Sequence, residues 1–431
     1  MVAIDERTGC GLRQARSTLA EGAFGSREGK SDIVTATPER LERPSSKSLA
    51  SQGLSVVDGR PLRVAVVHDY LTQRGGAERV ALALMRSFPG ARLITSVYDP
   101  ARTYPEFSAY AVETTWLQRV DTFQRDIRKA LPVLPFAFSG VTLDDVDVVL
   151  CSSSGWAHGV RTPAPKVVYC HNPPRWLYQR DEYVQGHGRL VRSGVHALSP
   201  YLRWWDRRAA GSGTSYVANS TVVAARIERE YGVRAAVVPP ASTIDPTGQQ
   251  TPVAGLQPGF LLTVSRPRAY KNTGPVCAAV EATMGARLVV VGDLPEGDWS
   301  SRIRSVSSVS DAELRWLYAN CSGLVAASFE DFGLTPVEGF AFGKPAVCLR
   351  AGGYLDSMIE GLTGVFFDEL SMASIQAALE SLDEREWDAR AIREHAREFG
   401  FERFSDRMRA EARLAAAAGP TRQVARRHPT A

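Results

Sequence analysis

Two carboxylates eight positions apart, Glu330 and Glu338, flank a glycine turn in Ser328-Phe329-Glu330-Asp331-Phe332-Gly333-Leu334-Thr335-Pro336-Val337-Glu338-Gly339. The apolar run Gly323–Ala327 before them reads as a buried parallel strand. Thr335-Pro336 reads as a helix N-cap followed by proline at the first helical position. Glu330 is thereby placed in a loop at a strand's C-terminal edge and Glu338 on the first helical turn. Open α/β sheets bind ligands along that edge. The amides of Phe332, Gly333 and Leu334 face it too, because the start of a helix leaves its N–H groups unpaired. Glu338 has a second reading. Three residues after Thr335 it completes a capping box worth roughly 0.5–2 kcal/mol. Glu330 has no cap to make and no cationic neighbour in sequence.

Three further loops carry chemistry. His68-Asp69-Tyr70 ends a first strand, and Gly75-Gly76 then opens a helix, which lets backbone N–H groups approach a phosphate; a plain turn is the competing reading. The nicotinamide fingerprint G-x-G-x-x-G is absent there. In Leu262-Thr263-Val264-Ser265-Arg266-Pro267-Arg268-Ala269-Tyr270-Lys271-Asn272, Arg266 and Lys271 sit where they can meet a diphosphate, each charge-assisted bond adding roughly 1.5–3 kcal/mol. A solvated basic loop is the alternative. Lys271 is one of only six lysines among 51 basic residues, which favours a role needing a compact ammonium. His171, in Tyr169-Cys170-His171-Asn172-Pro173-Pro174-Arg175-Trp176, lies just past another strand. It faces the same cleft as Glu330, against the usual structural role of a lone histidine. No H-x-E, H-E-x-x-H or carboxylate cluster with metal-ligand spacing is present.

Positioning these loops takes two series of β-α units. Strands are predicted at Arg63–His68, Arg92–Val97, Asp145–Cys151, Lys166–Cys170, Ser215–Ala218 and Ala235–Val238. After Pro239-Pro240 they restart at Phe260–Ser265, Ala286–Gly292, Gly323–Ala327, Pro345–Leu349 and Gly364–Phe367. The expected organisation is a disordered extension over 1–60 and an N-terminal Rossmann-like domain over 61–240. A linker at 241–257, a C-terminal Rossmann-like domain at 258–400, a crossover helix at 401–418 and a loose tail at 419–431 follow. At 431 residues two cores are expected. The composition, 44% hydrophobic and 23% charged, is globular, and a net charge of +4 does not point to a nucleic-acid partner. Six cysteines without C-x-x-C spacing read as reduced core thiols of a cytoplasmic protein. No stretch of about 18 apolar residues spans a membrane.

Taken in order, H-D-Y-L-T-x-x-G-G-A-E, Y-C-H-x-P, A-N-S, S-R-P-x-x-x-K, V-S-D-A-E-L-x-x-L-Y and E-D-F-G-L-x-P-V-E resemble the retaining GT-B glycosyltransferases of family 4. The likeness runs from about Leu62 to Leu414 and is nearest to bacterial mannosyltransferases of surface-polysaccharide assembly. It implies two Rossmann-like domains facing a cleft and a nucleoside diphosphate sugar as donor, with GDP-mannose favoured. No cofactor or metal is implied. Glu338 would hold the nucleotide ribose and Glu330 the donor-sugar hydroxyls beside the Phe332, Gly333 and Leu334 amides. Gly75 and Gly76 would cradle phosphate, Arg266 and Lys271 would neutralise the diphosphate, and His171 would touch the sugar. Phe401–Arg409 resembles the last helix of that fold, which returns to the N-terminal domain.

The chain departs from the pattern at Gly292-Asp293-Leu294-Pro295, where an abbreviated helix is expected before Val306. It departs again at Asp356, where glutamate is common, and in its N-terminal extension. The implied acceptor is a glycan or lipid-linked hydroxyl. Arg125–Phe138 and Tyr201–Arg208 mix basic and large apolar residues suited to an anionic membrane surface, unless their tryptophans are interdomain core. Two other functions fit the fold: a non-catalytic nucleotide-sugar or glycan-binding protein, and a sugar-nucleotide epimerase.

Overall fold

The computed structural model describes residues 56–57, 60–179, 189–211, 214–264 and 271–419. The extension and tail expectations therefore fall almost wholly outside the described residues. A two-residue antiparallel pair, β1 (Val56–Val57) with β2 (Arg60–Pro61), precedes the first sheet.

That sheet holds β3 (Val64–His68), β4 (Arg92–Thr95), β5 (Val112–Thr114), β6 (Val148–Ser153), β7 (Lys166–Cys170), β8 (Thr214–Ala218) and β9 (Ala235–Val237). Its order is β5-β4-β3-β6-β7-β8-β9, parallel throughout. The second sheet holds β10 (Phe260–Val264), β11 (Leu288–Val291), β12 (Ile303–Val306), β13 (Cys321–Ala326), β14 (Ala346–Leu349) and β15 (Gly364–Phe367). Its order is β12-β11-β10-β13-β14-β15, again parallel. Every residue of β3, β6 and β7 is buried, as a sheet covered on both faces requires. In each sheet the chain steps outward one way from a central strand and then the other. The strand order thus reverses between β3 and β6 and between β10 and β13, and a crevice opens outside their carboxyl ends.

Side chains alternate across each sheet into separate cores. Ala65 and Val67 enter one, Val64 and Val66 the other. The final helix, Phe401–Ala418, completes that second core: Phe404, Met408 and Ala412 pack with Val64, Val66 and Leu84 of the first domain. Each of these buried side chains larger than alanine contributes about 1.5–3 kcal/mol. All five described cysteines are free and buried.

Several expectations shift. Two edge strands, β5 and β12, had not been predicted. β6 begins later than Asp145 and runs on through Ser152 and Ser153, which pair with Tyr169 and Cys170 of β7. Among residues 292–302 there is no helix at all, so the expected abbreviated one is absent. Most consequentially, the helix after β13 spans Leu334–Ala341 with Gly333 as its N-cap. Thr335 is therefore its second residue and Pro336 its third, where a missing N–H costs nothing. Glu338 lies too far along to close a capping box, and that reading falls.

Candidate active site

The loops beyond β10 and β13 flank the switch point of the second sheet, and they bring Lys271 to Glu330. Lys271 Nζ donates to Glu330 Oε1 at 2.8 Å, and Ser328 Oγ donates to the same oxygen at 2.8 Å. Asn272 sets this arrangement. It adopts φ 52°, a left-handed conformation that asparagine tolerates, and donates to the Ala327 carbonyl at 2.9 Å, tying one loop to the other. A small pocket lined by Thr263, Lys271, Ala327, Ser328, Thr335 and Tyr354 opens there. Arg266 lies outside the described residues. Glu330 has its cation after all, 59 positions away in sequence.

Gly333 turns the chain into the helix at φ 82°, and a Cβ there would fall 2.2 Å from the Tyr354 ring. Glycine is required on both counts. No side chain caps this helix, so its first amides, Leu334 included, stay available to an anion. The Phe332 side chain is itself buried against Phe399, leaving only its backbone for a ligand. On the next helical turn Glu338 Oε2 accepts from Tyr318 Oη at 2.6 Å. Burial, and then Glu338 itself, push the Tyr318 phenol well above its ordinary pKa, so it remains a donor.

The first domain offers its own switch-point loops. Gly75 caps the Gly76–Ser87 helix without a side-chain hydrogen bond. A Cβ on Gly75 would meet Glu78 Oε2 at 2.5 Å, while Gly76 has open space around it. His171, past β7, contacts Ser152 Oγ through Nε2 at 2.8 Å. Burial, and secondarily His68, lower its pKa from 6.5 to about 3, so the ring is neutral at working pH. Asp69 braces the loop after β6, accepting from the amides of Ser154, Trp156 and Ala157.

Contacts join the two sets of loops. Asp331 accepts from Asn172 Nδ2 at 2.8 Å, from Arg226 at 2.6 Å and from Arg175. Asp356 accepts from the Thr221 amide at 2.8 Å and its hydroxyl at 3.0 Å. Neither role is legible along the chain, because the partners lie between 105 and 159 residues away. Tyr318 closes the V-S-D-A-E-L-x-x-L-Y run, but nothing in that run pairs it with Glu338, 20 residues on and on a different helix.

Residues 74–243 match the model of Glycosyltransferase Family 4, and residues 253–399 match that of Glycosyl transferases group 1. These two matches divide between the two domains just described. The chain belongs to the family 4 GT-B glycosyltransferases.

Curated relatives of this glycosyltransferase include the alpha-1,3/1,6-mannosyltransferase ALG2 of Homo sapiens, 24% identical over 67% of this chain and 80% of that protein. The same enzyme of Dictyostelium discoideum is 37% identical over only 65 residues, 15% of this chain and 16% of that one. Among solved structures, Anabaena HepE in complex with UDP-glucose is 16% identical, with a TM-score of 0.57 over 81% of this chain and 98% of that one. Sucrose-phosphate synthase of Thermosynechococcus elongatus is also 16% identical, with a TM-score of 0.57 over 83% of this chain and the whole of that one. At these identities both share the fold. Among the described residues no group of three or more His, Cys, Asp or Glu is placed to hold a metal ion. None of the described helices is long and apolar enough to cross a membrane.

Proposed function

We propose that this glycosyltransferase moves a hexose, mannose from GDP-mannose, to a hydroxyl of a glycan or lipid-linked acceptor, retaining the anomeric configuration, in cell-surface polysaccharide assembly. The observation that carries the reading is the pair of carboxylates Glu330 and Glu338 on either side of an uncapped helix start, with Lys271 at the pocket between the loops. A carboxylate offers two acceptor oxygens to a diol, which suits Glu338 to the ribose and Glu330 to the sugar. Lys271, Arg266 and the helix amides take the charge that grows on the leaving diphosphate, and no metal is needed. The bond from the anomeric carbon to the diphosphate oxygen breaks, and the bond to the acceptor oxygen forms on the same face. The acceptor proton passes to the leaving diphosphate. The mannosyl choice is supported by the activity named for the human and Dictyostelium relatives.

The lipid-linked acceptor is supported by a surface of the first domain. Phe136 and Trp204, 58% and 59% exposed, flank Tyr201, which stacks on Phe136 with ring centroids 6.3 Å apart. Arg125, Lys129 and Arg208, exposed within the same two segments, supply positive charge beside these rings. Trp205, by contrast, is buried beside Trp156, so only one of the two adjacent tryptophans is core. Such a patch suits an anionic interface.

A melting panel of GDP, UDP, ADP and their sugar conjugates tests the donor. A nucleotide at about 100 times its Kd stabilises by roughly 2.7 kcal/mol. The expected result is a shift with the guanine series, lost in Glu338→Ala. A shift confined to uridine compounds would overturn GDP-mannose, and no shift in folded protein would favour a non-catalytic glycan-binding role.

A further inference from the structure

We propose that Ser152 and His68 are positioning residues that fix His171 as a neutral imidazole with its proton on Nδ1, ready to donate to a donor-sugar hydroxyl; this rests on the glycosyl transfer proposed above and extends it by placing His171 at the sugar. The three residues stand at the carboxyl ends of adjacent strands, His68 on β3, Ser152 on β6 and His171 just beyond β7. His68 Nδ1 lies 3.2 Å from the Ser152 carbonyl oxygen and 3.0 Å from Ser152 Oγ. A carbonyl only accepts, so His68 carries its proton on Nδ1. Ser152 Oγ receives from that ring. Its own proton then goes to the acceptor on its other side, His171 Nε2, at 2.8 Å. With Nε2 accepting, the proton of a neutral His171 ring sits on Nδ1.

Two observations support the direction of this row. Burial keeps His171 uncharged, its pKa lowered to about 3, so only one ring nitrogen bears hydrogen. No described protein group hydrogen-bonds His171 Nδ1, which leaves it for a ligand. At the far end Glu78 Oε1 lies 3.9 Å from His68 Nε2, beyond hydrogen-bonding range, while Gln73 donates to that oxygen at 3.0 Å. The row is therefore oriented by the Ser152 carbonyl and not by the carboxylate. His68 and Ser152 are fully buried, so water does not compete for the hydroxyl.

The test is a two-bond proton–nitrogen correlation spectrum of the full chain labelled at histidine nitrogens, without donor. The chain has seven histidines, and His171 is assigned by its loss in His171→Gln. The expected spectrum shows His171 with a protonated Nδ1 and an unprotonated Nε2. In Ser152→Ala the His171 signals should move toward the Nε2–H form that an unconstrained imidazole favours. Turnover should fall about tenfold with the donor KM unchanged, the size of one lost neutral hydrogen bond. An Nε2–H ring in the unaltered chain overturns the proposal without recourse to any variant. So does an unchanged tautomer in folded Ser152→Ala. A changed tautomer with unchanged turnover upholds the relay and overturns the placement of His171 at the sugar, which separates the two claims.

Discussion

Asn172 Nδ2 donates to Asp331 Oδ1 at 2.8 Å, and the two residues come from different domains. Asn172 follows His171 and Asp331 follows Glu330. One hydrogen bond, reinforced by Arg175 and Arg226 on the same carboxylate, therefore sets the separation of the two side chains proposed to meet the donor sugar.

Removing that carboxylate should loosen the site. In Asp331→Ala, Arg226, with 11% of its side chain exposed, loses its acceptor, for a loss of about 1.5–3 kcal/mol, read as a lower melting temperature. Turnover should fall with it. Asp331→Asn keeps an acceptor for Asn172 and one arginine and should recover part of both. Equal loss in the two variants would show that charge, and not geometry, is what matters.

Lys271→Ala should lower kcat by about 100-fold, the scale seen when one donor to a developing anion is removed. The acceptor KM should stay within about twofold, because the lost interaction grows only as the diphosphate leaves. Steady-state kinetics on Lys271→Ala and on the Arg266→Ala, Lys271→Ala double variant check this. Unchanged turnover in the double variant would remove the diphosphate assignment.

Tyr318→Phe deletes the phenol proton held by Glu338 at 2.6 Å. The carboxylate then loses a fixed orientation, and the nucleotide should bind about three- to tenfold more weakly, with its base preference intact. Calorimetric titration of the preferred nucleotide reads this directly.

Gly333→Ala is expected to destabilise by roughly 2–5 kcal/mol, combining a left-handed backbone penalty with overpacking against Tyr354. The added Cβ would sit 2.2 Å from that ring. Gly76→Ala, in open space, should melt like the unaltered chain and still lose activity if a phosphate approaches there.

His171 gives a pH signature. Its pKa falls from 6.5 when unfolded to about 3 when folded, so between those values the unfolded chain binds the extra proton. Its contribution is fully present above pH 6.5 and is lost progressively as the pH falls toward 3. Denaturant unfolding from pH 6.5 to 5, where ordinary carboxylates stay ionised, should show a steeper decline for the native chain than for His171→Gln.

How much of this was legible in the sequence depended on whether the determining contact was local. The apolar runs of β7 and β13 and the glycines at 75, 76 and 333 announce themselves, because burial and backbone geometry act within a few residues. β5 and β12 do not. They lie at sheet edges with half or more of their residues exposed, so they carry no apolar run. Glu338 was open to two readings because a cap and a ligand-binding carboxylate ask for the same residue near a helix start. Only the position of Gly333 decides between them. Asp331, Asp356 and Ser152 have their meaning in partners from other strands, which spacing along the chain does not encode.

The closing helix has a consequence for biosynthesis. Phe404, Met408 and Ala412 cover Val64, Val66 and Leu84, yet they are made only after the entire second domain. At 5–20 residues per second, roughly 15–60 s separate Leu84 from Phe404 on the ribosome. Through that interval the first domain presents an uncovered apolar face, open to a chaperone or to a second nascent chain. The second domain is, in folding order, an insertion, free to fold while its host still waits for its last piece.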